Sequence, residues 1–308
     1  MAAQKFPRIS VDFEQCALSG RPAEGAENLK NLGFSANRKN TPIEETIAQT
    51  VKWQLEALEI NLNRPEYFPE HFDPEKRTIL RKKAEQSKIR LLLHAPDDIN
   101  LLSRHKNIRL AGVERLKEML VFGKELGAAY FTLHTGKIAL VATGSGQVKI
   151  MQHPTFKPLA ENFRDSALRL LEFADGKVEL GFENTNHFEG FFEEIIARLL
   201  EQTNLKLTWD IGHSFAETPE KVQATLNFFF TRLPRVQTVH LHDRNPKTDH
   251  LPVGSGTIPW KRFGEVLQAE GIFKIVEVKD ASAVEASLLY LRQLAFDQTF
   301  SPSEVSKK

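Results

Sequence analysis

Short, β-branched apolar runs alternate with longer amphipathic ones along most of the chain. The strand-type runs are RISVDF (8–13), ALEINL (57–62), IRLLLH (89–94), AYFTLH (129–134), VELGFE (178–183), LKLTWD (205–210), VQTVHL (236–241) and FKIVEV (273–278). The segments between them carry helix starts, such as Thr41 before PIEETIAQTVKWQLE and Thr218 before PEKVQATLNFFF. Each has proline at the first helical position, where a missing N–H costs nothing. Eight strand-then-helix units predict an α/β fold, a (β/α)8 TIM barrel, with a doubly wound open sheet as the alternative. No linker or charge block divides the chain, so residues 1–298 read as one domain. The tail 299–308, TFSPSEVSKK, reads as disordered.

Two connections exceed the usual 2 to 6 residues of a βα link. One covers 14–40 after the first predicted strand, and the other covers 135–156 after the fourth. On a barrel's C-terminal face such loops serve as lids, specificity walls or contacts in a homo-oligomer.

Composition narrows the partners. The 308 residues carry 41 Lys+Arg against 40 Asp+Glu, a formal charge of +1. No global field therefore draws in nucleic acid or an anionic membrane. No apolar stretch reaches the length of a membrane span, and MAAQKFPRIS lacks the apolar core of a secretory signal. The expected location is the cytoplasm. The single Cys16 forms no internal disulfide and excludes a thiolate metal cluster.

The chemistry collects where the strands end. His94, His134, Glu183 and Asp210 close the third to sixth strands, while His240 and Glu277 stand near the ends of the last two. In a barrel these ends converge at the C-terminal mouth. Carboxylates and imidazoles crowded together repel or desolvate one another unless a cation sits among them. Glu183, Asp210, His240 and Glu277 form a three-oxygen, one-nitrogen set suited to Mn²⁺, Mg²⁺, Co²⁺ or Zn²⁺. His94 and His134 add nitrogen ligands for a second ion bridged by Glu183. His213 and His250 can hold a third ion or bind substrate hydroxyls, giving one to three ions in all.

The segments LLLHAPDDINL, FTLHTG, GFENT, TWDIGHSFAE, VHLHD, DHLPVGSGTIPW and IVEV occur in this order between about residues 89 and 280. Together they resemble the signatures of the xylose isomerase-like TIM-barrel superfamily, which includes sugar-phosphate isomerases and epimerases and the family 2 apurinic/apyrimidinic endonucleases. In the epimerase branch the resemblance implies one metal on Glu183, Asp210, His240 and Glu277, with the two glutamates exchanging a proton on opposite faces of a ketose. In the endonuclease branch it implies three zincs on His94, His134, Glu183, Asp210, His213, His240, His250 and Glu277, plus an aspartate two residues before the last histidine. That position is Thr248 here, and Asp249 is displaced by one.

The favoured expectation is a metal-dependent isomerase or epimerase of a small sugar or sugar phosphate, with Glu183 and Glu277 catalytic. Lys137, Arg244, Lys247 and Lys279 lie near predicted strand ends and are candidate phosphate contacts. The alternative is a phosphodiester hydrolase acting on nucleic acid. His94 and His134 favour it, while the neutral charge, the shifted aspartate and a first strand without a histidine-containing glycine-rich turn oppose it. A non-catalytic metal or ligand sensor is the third reading. His242 reads as outward and structural, and Asp243 as a turn or supporting residue. His71, His105 and His153 read as solvated, and His187 is open. The GSG at 254–256 and TGSG at 143–146 are weak phosphate-cradle signals that more often only make turns.

Overall fold

The computed structural model describes residues 29–36, 41–137, 140–144, 146–149, 157–185 and 190–296. Ten strands occur among them: β1 (Leu32–Ala36), β2 (Ala57–Asn61), β3 (Arg90–His94), β4 (Tyr130–His134), β5 (Leu140–Thr143), β6 (Gly146–Lys149), β7 (Glu179–Glu183), β8 (Lys206–Asp210), β9 (Val236–Leu241) and β10 (Phe273–Val276). Eight of these close into a parallel barrel in the order β1-β10-β9-β8-β7-β4-β3-β2. Because β1 pairs with both β2 and β10, the sheet has no open edge. That closure excludes the doubly wound alternative.

Helices cover the barrel. They are α1 (Ile43–Lys52), α2 (Pro74–Gln86), α3 (Lys106–Leu126), α4 (Lys157–Ala174), α5 (Gly190–Gln202), α6 (Ile211–Ser214), α7 (Pro219–Phe230), α8 (Gly264–Gln268) and α9 (Ala281–Phe296). Local chemistry sets several of their ends. The Asp73 carboxylate caps α2 by accepting from the Lys76 N–H at 2.8 Å, with Pro74 at the first helical position. Gly127, at φ 72°, ends α3 in the left-handed region that a side chain would strain. No described helix is long and apolar enough to cross a membrane.

Two sequence expectations need correction. The run at 8–13 lies outside the described residues, and the barrel's first strand is LGFSA at Leu32–Ala36, inside the stretch expected to be a long loop. Small residues hide this strand from a hydrophobic pattern. Gly33 is required there, because a Cβ would lie 2.3 Å from the Ala57 carbonyl oxygen. The revised first strand also lacks a histidine. The stretch 135–156 is no plain loop either, since β5 and β6 pair in it as an antiparallel hairpin. The TGSG segment falls at that hairpin's turn, with Gly146 at φ 120°.

Strand alternation sorts the interior into levels. Residues two apart on a strand share a face. At the lower level Ala57, Leu92, Tyr130, Phe273 and Ile275 form an apolar cluster of their own. Gly181 belongs to this level, where a Cβ would fall 1.6 Å from the Tyr130 hydroxyl. One step up, Thr208 Oγ1 meets Tyr130 Oη and Thr132 Oγ1, each at 3.0 Å. At the top the same parity delivers His94, His134, Glu183, Asp210, His240 and Glu277 to the mouth.

Candidate metal centre

Each residue of the upper level is delivered by a strand whose other face is locked into the helical layer. Trp209, beside Asp210, stacks on Phe229 at 4.9 Å, and its indole N–H donates to Ser214 Oγ at 2.9 Å. Ser214 Oγ donates to the Asp210 carbonyl at 2.8 Å, while Asn184 accepts from the Asp210 N–H and donates to its carbonyl, both at 2.9 Å. Asp210 is thus fixed in backbone before its carboxylate does anything. Glu277 lies just past β10, but its N–H donates to the Leu241 carbonyl at 3.0 Å and so extends the ladder.

The carboxylates and imidazoles converge as the strand ends predict. Glu183 is shared by three histidines: Oε2 lies 3.1 Å from His94 Nε2 and 2.9 Å from His134 Nε2, and Oε1 lies 3.1 Å from His240 Nδ1. Glu277 Oε2 reaches the same His240 Nδ1 at 3.2 Å. Ligand atoms of Glu183, Asp210, His240 and Glu277 all lie within 4.8 Å of one another, as do those of His94, Glu183 and His240. On the far side of Asp210 a separate group forms from His213, His242 and His250. Asp210 Oδ2 faces it, 3.2 Å from His213 Nδ1 and 3.1 Å from His242 Nε2.

His242 is therefore not outward. Two residues on from His240 and just past the end of β9, it keeps the inward parity of that residue, is fully buried, and stacks on His250 at 4.1 Å. The displaced Asp249 also reaches this group, with Oδ1 3.3 Å from His242 Nδ1 and Oδ2 3.8 Å from His213 Nε2. His250 has φ 52° and sets its Nδ1 3.0 Å from the Glu277 carbonyl. Asp243 is the anchor of the loop that carries both. It accepts from the N–H groups of Arg244, Gly254 and Ile258 and from the Trp260 indole, at 2.8 to 3.1 Å. The GSG segment belongs to this turn, and a Cβ at Gly256 would lie 2.2 Å from Asp243 Oδ1.

Two participants escaped sequence reasoning. Glu59, on β2, is fully buried and sets Oε2 3.1 Å from His240 Nε2. Its signal was a carboxylate at an inward position of an apolar run. Asp97, in the loop after β3, sets Oδ1 3.3 Å from His134 Nδ1 and is tied to Asn63 by two hydrogen bonds of 2.8 and 2.9 Å. Lys137, Lys247 and Lys279 are exposed on the loops after β4, β9 and β10, and Arg244 is half-buried. His71 and His105 are exposed, whereas Cys16, His153 and His187 lie outside the described residues.

Electrostatics binds the cluster. Burial works to push the Glu183 carboxyl up, but His240 and His134 outweigh it and hold it well below the usual carboxylate range. Asp210 is likewise lowered against its burial by His213 and His242. Burial opposes the charged form of His94, yet Glu183 and Glu59 raise it to about 10, and Asp210 raises His242 to about 9 against the same penalty. A buried carboxylate left unpaired costs on the order of several kcal/mol. Imidazolium protons on His94, His240 and His242, which the neighbouring carboxylates favour, can supply the balancing charge. A divalent cation can displace those protons and supply the same charge, and carboxylate oxygens with imidazole nitrogens are donors that Zn²⁺, Mn²⁺ and Co²⁺ accept. The residues fit a metal centre.

The family model described as xylose isomerase-like TIM barrel matches residues 47–294. The chain belongs to this family. Among solved structures, a D-tagatose 3-epimerase-like protein aligns with a TM-score of 0.65 and 21% identity, covering 87% of this chain and 99% of its own. Endonuclease IV from Thermus thermophilus aligns with a TM-score of 0.63 and 22% identity, covering 87% and 99%. A further Thermus thermophilus protein, soaked with zinc chloride, gives 0.61 and 22%, covering 87% and 98%. At these identities the likeness establishes the fold. No curated protein sequence matches the chain. Structures named for an epimerase and for an endonuclease thus share the xylose isomerase-like barrel, so the activity must be argued from the mouth itself.

Proposed function

We propose that this xylose isomerase-like barrel is a divalent-metal-dependent isomerase or epimerase of a small sugar or sugar phosphate. The observation that carries the proposal is the meeting of Glu183 and Glu277 at one nitrogen of His240, with Asp210 alongside. A bound divalent ion would polarise the substrate carbonyl and acidify the adjacent C–H. Glu277 is the better base, since its side chain is 12% exposed and Glu183 is already engaged by three imidazoles. It takes the proton from carbon, and the C–H electron pair moves toward the carbonyl oxygen to leave an enediolate. On the opposite face the proton comes through Glu183, passed to it from the His94 imidazolium, whose Nε2 lies 3.1 Å from Glu183 Oε2, and on to the carbon. Arg244 has a buried Nη1 with no hydrogen-bond partner among the described residues, a donor available to an anionic substrate group. Lys137, Lys247 and Lys279 stand on the same rim.

A second reading has its own support. His94 and His134 both face Glu183 Oε2, and His213, His242, His250 and Asp249 form a further ligand group, which a one-ion epimerase does not need. A three-ion phosphodiester hydrolase would use all of them. The test is to load the protein separately with Mn²⁺, Co²⁺ and Zn²⁺ and follow deuterium uptake from D₂O into a panel of ketoses and ketose phosphates. An abasic DNA duplex is assayed in parallel. Metal-dependent C–H exchange supports the isomerase. Strand cleavage stopped by EDTA, with binding that weakens by about three decades between ~50 and ~200 mM salt for six phosphate contacts, would replace it with the hydrolase.

A further inference from the structure

The geometry points to Glu59 as a positioning residue that fixes the ring of His240 and commits its Nδ1 to the metal centre. This inference rests on the metal reading above and goes beyond it, because Glu59 is too deep to touch a substrate.

His240 stands between two levels of the barrel. Above it, Nδ1 lies 3.1 Å from Glu183 Oε1 and 3.2 Å from Glu277 Oε2. Below it, Nε2 lies 3.1 Å from Glu59 Oε2, and both residues are fully buried. A histidine ligand must offer one unprotonated nitrogen, and the partner of the other nitrogen decides which one that is. An ionised carboxylate only accepts hydrogen bonds, so once a cation in the mouth displaces the proton that Glu183 and Glu277 draw to Nδ1, Glu59 keeps the other proton on Nε2 and leaves the Nδ1 lone pair to the cation.

The other site histidines are backed differently. His94 Nδ1 faces the Ala95 carbonyl at 2.8 Å, and His250 Nδ1 faces the Glu277 carbonyl at 3.0 Å. His134 Nδ1 meets Asp97, whose side chain is 50% exposed and partly screened by solvent. Among the described residues, His240 is thus the site histidine whose ring bridges the mouth carboxylates to a fully buried carboxylate beneath them. A carboxylate behind an imidazole increases its basicity as a ligand as well as orienting it. The position on β2 explains the arrangement. Ala57 shares the face of Glu59 one step below and packs in the apolar floor, so the carboxylate stands on that floor and faces upward.

The test uses the full chain and Co²⁺ alone, with binding constants read by chelator competition and by the cobalt absorption bands. Glu59→Gln, nearly the same size, should weaken by about 10- to 100-fold the class of site that His240→Asn abolishes. The class that His250→Ala removes should keep its constant. Circular dichroism and thermal melting establish that the variant folds. Should Glu59→Gln not fold, ¹⁵N spectra of histidine-labelled, Zn²⁺-loaded wild-type protein decide the matter, with the His240 resonances assigned by their loss in His240→Asn. A proton on Nε2 is the expected result. A proton on Nδ1, or an unchanged Co²⁺ constant in a folded Glu59→Gln protein, would overturn the role of Glu59 alone. Wild-type protein that takes up no Co²⁺ would overturn the metal reading and this inference with it.

Discussion

The lower and upper halves of the barrel interior are built on the same strands with the same alternation, yet they have opposite chemistry. Below, Ala57, Leu92, Tyr130, Phe273 and Ile275 pack as an apolar plug, with the Tyr130 hydroxyl paired to that of Thr208 above it. Above, four buried or nearly buried carboxylates, Glu59, Glu183, Asp210 and Glu277, have histidines as their ion-pair partners among the described residues. The plug holds its shape by close packing, which any misfit disturbs. The mouth is held by charge compensation, which a cation can take over. Substitutions in the mouth should therefore cost function before stability, and those in the plug the reverse.

The largest effect that would break this contrast is at Glu183. Glu183→Gln should lower turnover by about 10²- to 10⁴-fold while leaving the unfolding midpoint close to wild type. Paired kinetics and urea titration check this, and a collapse of stability matching the loss of activity would make the mouth structural. Next comes His242→Ala. If the His213, His242 and His250 group takes up an ion, the variant should lose about one, counted by metal analysis after dialysis of Co²⁺-loaded protein, and keep whatever the Glu183 group takes up. An unchanged ion count would return His242 to a packing role. Gly181→Ala, in the plug, should cost about 1 to 3 kcal/mol, because its Cβ would fall 1.6 Å from the Tyr130 hydroxyl. Metal affinity should stay within a few-fold, and a larger change would mean the two halves are mechanically coupled.

The smallest effect concerns Lys274, on the outer face of β10. Burial lowers its pKa from 10.5 to about 8, and its Nζ donates to the Lys30 carbonyl at 2.9 Å and to that of Ala269. Between those two values the unfolded chain binds more protons than the folded one, so stability contributed by this site rises with pH across that window. Lys274→Met should flatten the rise. Urea midpoints compared at about pH 7.5 and about pH 10 measure it, and an identical slope in both proteins would assign the pH dependence elsewhere.

Much of this architecture was legible in the chain. Strands β2, β3, β4, β7, β8, β9 and β10 each fall within the apolar runs that mark them, because strands covered on both faces need apolar side chains over most of their length. A titratable residue at or near the end of each of these except β2 exposed the mouth, since a carboxylate or imidazole inside such a run is costly without a partner. β1 was not legible. LGFSA fills a crowded corner with glycine and serine, so the constraint that shaped it is the approach of Ala57 on a neighbouring strand, which no linear pattern records.

The sequence by itself determined the barrel and most of the side chains that its mouth gathers, because both follow from periodicity and from strand ends that a closed parallel sheet must bring together. The tertiary structure decided which carboxylate stands behind which imidazole. Glu59 is 181 positions from His240 in sequence and 3.1 Å from it in space. Asp249 reaches His242 and His213 through a loop whose path is set by the backbone hydrogen bonds to Asp243. Contacts of that kind depend on closure across the barrel and on loop geometry, and a one-dimensional pattern carries neither.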